Sequence, residues 1–289
     1  MSPSSDPVES CECGANWKFW VLFSLWRDTF GPLADNEAGL AAEWRKNVII
    51  MNPDTIDGVL LVDKGQDMTS HDVVAVARRT LNTKKIGHCG TLDPMATGLL
   101  ILVIGRATKI QDLLMAEDKE YTGSFELGKT TSTQDAEGEV LTEAEVSAFS
   151  EEEIKASFEK FRGDFYQIPP MVSAIKKDGV PLYKLARQGK VVKRDPRFVH
   201  VFGYRIDGIE LPVVKFTVKC SKGFYVRTYA HDIGEDLGCG AFLNSLRRTR
   251  SGKFDLERSV TFDELKFGER SDIISKMMSL PEVSRLRGA

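Results

Sequence analysis

No apolar run in this chain of 289 residues is long enough to cross a bilayer. The longest, Trp17 to Trp26, is broken by Lys18, and it lacks the basic start and small-residue cleavage site of a secretory signal. Cysteine is scarce. Cys11, Cys13, Cys89, Cys220 and Cys239 are odd in number and lack C-x-x-C spacing, which argues against a zinc ribbon or a disulfide framework. They read as reduced thiols of a cytoplasmic protein. The four histidines, His71, His88, His200 and His231, show no metal-ligand spacing, so no metal is expected. Neither G-x-x-x-x-G-K-[ST] nor a strand followed by G-x-G-x-x-G occurs, which removes both nucleotide-phosphate cradles. A nucleophile elbow is also missing. No period of a few tens of residues recurs, and a solenoid is thereby excluded.

What is present is a globular composition, 42% hydrophobic and 28% charged, in a chain long enough for one large domain or two modest ones. The net charge of -3 does not advertise a nucleic-acid binder. It hides an asymmetry, because residues 1 to 56 hold four basic and eight acidic side chains, leaving 35 basic against 34 acidic in the remainder. Eight cations fall between Lys176 and Arg197 (Lys176, Lys177, Lys184, Arg187, Lys190, Lys193, Arg194, Arg197), against Asp178 and Asp195. A second cluster is Arg247, Arg248 and Arg250. Such runs read either as solvated faces or as a footprint for a polyanion. All four tryptophans (Trp17, Trp20, Trp26, Trp44) precede residue 55, and the first ten residues are rich in Ser, Pro and acid. Residues 1 to 55 are therefore expected to be a poorly ordered extension. It is either a docking segment or a dispensable start, ahead of a core domain at 56 to 289.

From Asp57 the pattern becomes regular. Gly58 to Val62 reads as a buried strand, and Thr69 or Ser70 caps a helix carrying Val73, Val76, Ala77 and Leu81 at helical spacing. A strand is expected through Ile104, a helix over 107 to 115, and a strand over 121 to 127, followed by a Thr-rich polar loop containing Asp135. Ser150 with Glu153 forms a capping box for the next helix. Val214, Phe216, Val218 and Cys220 alternate with Lys215, Thr217 and Lys219, the signature of a half-buried strand. Tyr225 and Arg227, two apart, are expected to share a strand face. Residues 241 to 248 read as a helix or turn, and a last short helix lies near Phe262. Interspersed strands and helices without strict alternation indicate an α+β fold, a mixed and largely antiparallel central sheet flanked by helices.

The most unusual stretch is Gly87-His88-Cys89-Gly90-Thr91-Leu92-Asp93-Pro94-Met95-Ala96-Thr97-Gly98. Pro94 biases Asp93 toward an extended backbone, and the glycines permit close approach of another backbone or a ligand. By local chemistry alone, Asp-Pro is equally a helix N-cap and N1 pair. Together with aromatic-plus-basic strands and basic patches, the loop admits an RNA-processing enzyme or a plain RNA-binding module.

Seven segments occur in an order that carries a family likeness. They are Gly58 to Lys64, Gly87 to Gly98, Asp118-Lys119-Glu120-Tyr121, Thr131 to Gly138, Pro169 to Lys176, Ser221 to Thr228 and Ser245 to Arg250. In these the chain resembles the TruB family of tRNA pseudouridine synthases, bacterial stand-alone type. The likeness implies a pseudouridine-synthase-like fold and conversion of the tRNA T-loop uridine (uridine 55 in tRNA numbering) to pseudouridine, with no cofactor. The target base must be extruded from a folded loop, at about a few kcal/mol that pocket contacts offset.

The resemblance assigns roles residue by residue. Asp93 matches the catalytic aspartate, Arg227 the arginine that pairs with it, and Tyr121 the tyrosine packing on the flipped base. His88 matches the residue that enters the vacated space in the RNA loop. Tyr225 and Leu246 match substrate-pocket positions, and Lys64 a lysine supporting the active-site loop. The implied partner is the T-arm of tRNA, not DNA or a membrane, and a monomer is expected. Two departures stand out. Gly65 replaces a usual proline and Asp67 a frequent glycine, so that loop is expected to be looser. Only about two dozen residues follow Leu265, too few for the RNA-binding PUA domain common in the family. tRNA affinity would then rest on the basic clusters. A synthase dependent on guide RNA and protein partners is disfavoured by Met95-Ala96-Thr97, which resembles the stand-alone branch.

Overall fold

The computed structural model describes residues 56–146 and 148–288. The expectation for residues 1 to 55 lies outside them. The chain runs β1 (Gly58–Lys64), α1 (Ser70–Thr80), β2 (Ile86–His88), β3 (Thr97–Ile104), a 3-10 turn (Gly105–Ile110), α2 (Gln111–Met115), β4 (Lys119–Leu127), β5 (Lys129–Thr131) and β6 (Val140–Glu143). It continues with α3 (Glu151–Lys160), β7 (Gly163–Gln167), β8 (Lys176–Lys177), β9 (Val180–Pro181), α4 (Leu182–Ala186), β10 (Arg197–Glu210) and β11 (Val213–Cys220). The last elements are α5 (Val226–Asp236), β12 (Ala241–Ser251), β13 (Val260–Thr261), α6 (Phe262–Phe267), α7 (Arg270–Ser275) and α8 (Leu280–Arg287).

The central sheet has the order β13-β1-β3-β12-β4-β11-β10-β7, with β2 beside β3. Only β1 with β13 and β12 with β3 pair in parallel; the other pairings are antiparallel. This is the mixed, largely antiparallel sheet that the alternation of elements implies. β1 and β3 are buried along nearly their whole length, because both faces are covered. Leu60, Val62, Leu100 and Leu102 pack in the main core, while Val59, Leu61, Leu99 and Ile101 pack with Leu114, Met278 and Val283 in a second one. β11 is covered on one face only. Its buried Val214, Phe216, Val218 and Cys220 alternate with outward Lys215, Thr217 and Lys219. α1 begins at a capping box of Thr69 and Asp72, and α3 at one of Ser150 and Glu153.

Two elements differ from expectation. Residues 241 to 248 are a strand, β12, in the middle of the sheet. Two bulges, between Leu243 and Ser245 and between Arg248 and Arg250, destroy its alternation. Its Asn, Ser and Arg residues carry little strand propensity, so tertiary pairing decides their conformation. Tyr225 and Arg227 do not share a strand face either. β11 ends at Cys220, Tyr225 is the N-cap of α5, and Arg227 lies in the helix's first turn.

Candidate active site

Sheet order explains the site. Asp93 begins a turn closed by the Ala96 amide donating to its carbonyl (3.1 Å), and the chain then enters β3 at Thr97. No helix starts there, so the N-cap reading of Asp93 does not hold. β12 lies between β3 and β4, pairing Arg247 with Thr97, Arg248 with Gly98, and Arg248 with Tyr121. The Asp93 turn, Leu246 and Tyr121 are thereby drawn together from distant parts of the chain. Gly98, at φ +97°, must be glycine: a Cβ there would stand 2.3 Å from the Arg248 carbonyl oxygen.

The turn is fastened along its length. Ser70, buried, donates to the Leu92 carbonyl (3.1 Å) and accepts from the Leu92 amide (2.9 Å). Lys64 is wholly buried, and its three protons go to the carbonyls of Gly65 (2.8 Å), Met68 (2.8 Å) and Pro94 (3.2 Å). Burial pushes the Lys64 ammonium down to about 8, against the attraction of Asp93. The Asp67 amide also donates to the Pro94 carbonyl (3.0 Å). Asp67 adopts φ 60°, a conformation suited to glycine. The loop expected to be looser is thus tied by four hydrogen bonds.

Arg227 reaches Asp93 from α5. Its Nε lies 2.9 Å from one carboxylate oxygen and its Nη2 3.3 Å from the other, a two-point fork. Nη2 also donates to the Val172 carbonyl (2.7 Å), and Nη1 to that of Thr133 (2.9 Å). Nη1 lies 3.5 Å from Asp135, itself buried and held by the Thr133 hydroxyl and the Glu137 amide. One buried guanidinium therefore serves two carboxylates and two carbonyls. The Asp93 side chain is 35% exposed and that of Arg227 only 4%, so the acid is the accessible partner. Desolvation raises the Asp93 carboxyl above its ordinary range; Arg227 opposes this and Asp135 reinforces it. Arg227 pairs with the acid, while burial works against keeping it ionised.

Tyr121 and Leu246 are buried beside this pair, 9% and 8% exposed. Gly123, opposite Leu246 on β4, lets β12 approach closely: a Cβ there would stand 2.5 Å from the Ser245 carbonyl oxygen. Burial raises the phenol pKa of both Tyr121 and Tyr225, and each lies within electrostatic reach of Asp93. The Gln167 side chain holds the Tyr225 backbone, accepting from its amide (2.8 Å) and donating to its carbonyl (3.1 Å). His88 stands apart on β2, half-buried, edge-on to His71 at 5.4 Å. Burial first, and His71 second, hold His88 down to about 4, so it is neutral near pH 7.

The two basic clusters separate. Seven of the eight cations between Lys176 and Arg197 are exposed, and among the described residues none is ion-paired. Arg194 is half-buried and donates to the Pro169 carbonyl (3.0 Å). In the second cluster Arg247 pairs with Asp63 (2.7 Å), Arg250 with Asp255 (3.8 Å), and Arg248 is 1% exposed. Only Arg248 of that cluster is internal; Arg247 and Arg250 remain accessible, each paired with a carboxylate. Sequence reasoning gave Ser70, Asp135 and Arg248 no part in the site: Ser70 was only a candidate helix cap and Arg248 only a member of a basic cluster. Asp135 had one signal, an acid set with Glu137 among Thr131, Thr133 and Gly138 in a polar loop; Ser70 had none that pointed to the site.

The chain is similar to known proteins. Residues 78–226 match the family model described as TruB family pseudouridylate synthase, N-terminal domain. Residues 227–270 match the tRNA pseudouridylate synthase B C-terminal domain. A protein of Opitutus terrae named tRNA pseudouridine synthase B is 57% identical over 211 residues, covering 73% of this chain and 88% of its own length. One of the same name from Syntrophotalea carbinolica is 46% identical, covering 80% and 75%. Among solved structures, a chain in a crystal structure of a Cbf5-Nop10-Gar1 complex aligns with a TM-score of 0.60 and 28% identity. That alignment covers 79% of this chain and 62% of the other.

Proposed function

Since the chain belongs to the TruB family of pseudouridylate synthases, we propose that it isomerises the T-loop uridine of tRNA, uridine 55, with Asp93 as its essential carboxylate. The reaction cuts the N1–C1′ bond, turns the base within its enclosure, joins C5 to C1′ and releases the C5 hydrogen as a proton while N1 gains one. It needs a carboxylate that can attack or take a proton, held close to the sugar and base. The observation that carries the reading is the Arg227 fork on Asp93, which leaves the acid accessible while its partner is buried. Tyr121 packs on the flipped base, Leu246 and Tyr225 line its pocket, Lys64 supports the turn, and His88 fills the space left in the RNA loop. The exposed cations of 176 to 197 attract the phosphate backbone of the T-arm. The enzyme acts as a monomer in the cytoplasm. Among the described residues, no helix is long and apolar enough to cross a membrane.

Tritium release from C5-labelled uridine in unmodified tRNA tests the proposal, because C5 must lose its hydrogen. Purified protein is expected to release one equivalent per tRNA without guide RNA or partner proteins. Asp93→Asn is expected to release none while binding tRNA within about threefold of the parent, since an uncharged isostere retains the shape of the site. Turnover by that variant would overturn the role of Asp93. Release confined to mixtures containing a guide RNA would favour the guided type of synthase instead.

A further inference from the structure

Behind Tyr121 lies a cation that the proposed chemistry does not use. Arg248 is 1% exposed and heads the fully buried side chains by volume. Among the described residues no carboxylate pairs with it. A guanidinium stripped of water without a counter-ion is costly, and for filling space alone an apolar side chain would serve as well. Its bonds indicate what it does. Nε donates to the Leu99 carbonyl (2.7 Å) and Nη2 to the Gly90 carbonyl (3.1 Å), clasping the two ends of the turn that presents Asp93. Its backbone pairs with Gly98 on one side and Tyr121 on the other. The Arg248 side chain also faces the Tyr121 hydroxyl, where its charge first and its donors second lower the phenol against the burial that raises it.

We propose that Arg248 is a positioning residue that holds the Tyr121 ring and the Asp93 turn at a fixed separation, so that a base turning between them meets both groups in register. The inference rests on the function proposed above. It follows from one rigid planar group touching three parts of the site, each otherwise attached to a different strand. A lysine would keep the charge but could not reach all three acceptors with fixed geometry.

The test is a double-mutant cycle in single turnover on C5-tritiated tRNA. Arg248→Lys is expected to lower the rate at saturating enzyme about 100-fold, the effect of misplacing reacting groups by about 1 Å, with tRNA affinity moved less than about threefold. In a Tyr121→Phe background the same change is expected to cost only about 10-fold, because the hydroxyl that Arg248 faces is already gone and only the clasp on the Asp93 turn is left to lose. Equal losses in both backgrounds, or a loss confined to affinity, would overturn the proposal. If Arg248→Lys does not fold, the guanidinium 15N–1H spectrum of the folded parent decides. Slowly exchanging Arg248 signals that move in Tyr121→Phe support the contact, and signals indifferent to that change refute it. Parent protein that releases no tritium would instead overturn the function proposed above, while the spectrum would still report on the contact.

Discussion

The Asp93 turn and the basic segment from Lys176 to Arg197 are both loops by sequence, yet they are held in opposite ways. In the turn, Leu92, Pro94 and Gly90 are each bonded by a buried side chain from elsewhere, Ser70, Lys64 and Arg248. In the basic segment seven of the eight cations are exposed, none is ion-paired among the described residues, and its hairpin of β8 and β9 is two residues on each side. The difference separates two tasks. A carboxylate that must meet one atom of a flipped base gains from an over-determined backbone, whereas charges that attract a phosphate chain need only proximity.

Changes within the turn's network should therefore affect rate, and changes in the segment should affect affinity. The largest effect is expected from Asp93→Asn, a loss in kcat of at least about 10³-fold. Asp135→Asn comes next. It removes one of the two charges that face buried Arg227, and should lower kcat about 10- to 100-fold and unfolding stability by about 2 kcal/mol, measured by tritium release and urea titration. If stability falls and kcat does not, Asp135 supports the fold rather than the aim of Arg227.

The pH profile sharpens the contrast. Lys64 releases its proton at about 8 in the folded protein against 10.5 in an ordinary lysine. The unfolded chain thus holds more protons between those values, and raising pH through that window adds stability from this group. The clamp on Pro94 meanwhile loses a donor, so kcat should decline above about pH 8 while thermal stability does not. Lys64→Met should abolish that decline. At the acid end, the raised Asp93 carboxyl should place the limb of kcat/KM above the ordinary carboxylate range.

In the basic segment, a triple change of Lys184, Arg187 and Lys190 to alanine should raise Kd for tRNA about 10-fold and leave kcat unchanged. It should also flatten the slope of log K against log salt by about 2 to 3. The smallest effect is expected from Ser70→Ala, about 1 kcal/mol of stability and a loss in kcat of a few-fold, because Leu92 keeps its place by packing.

Much of this molecule was legible before its structure. The apolar runs of β1 and β3, the alternation in β11 and the caps of α1 and α3 are local signals, and each appears where the pattern puts it. The role proposed for Asp93 was not legible locally: taken alone, Asp-Pro reads equally as a cap, and only its order among other motifs pointed elsewhere. β12 escaped because its conformation is imposed by neighbours on both sides, and two bulges hide its period. Arg248 was misjudged for a related reason. Three arginines close together look like a surface patch, and nothing in their spacing tells that the middle one is buried while its neighbours pair with Asp63 and Asp255. Burial of a charge is decided by partners far along the chain, so composition is silent about it.

The place of β12 between β3 and β4 has a consequence for the birth of the enzyme. Thr97 and Leu246, bonded across it, are 149 residues apart in sequence. On a ribosome, the turn carrying Asp93 and the strand carrying Tyr121 emerge long before the strand that joins them, and contacts of such separation form late. Until about residue 251 has left the exit tunnel, the nascent chain holds the ingredients of a site but no site. A copy without β12 lacks the strand that joins the two halves of the site, so the ability to act on RNA arrives in one step, when that strand pairs.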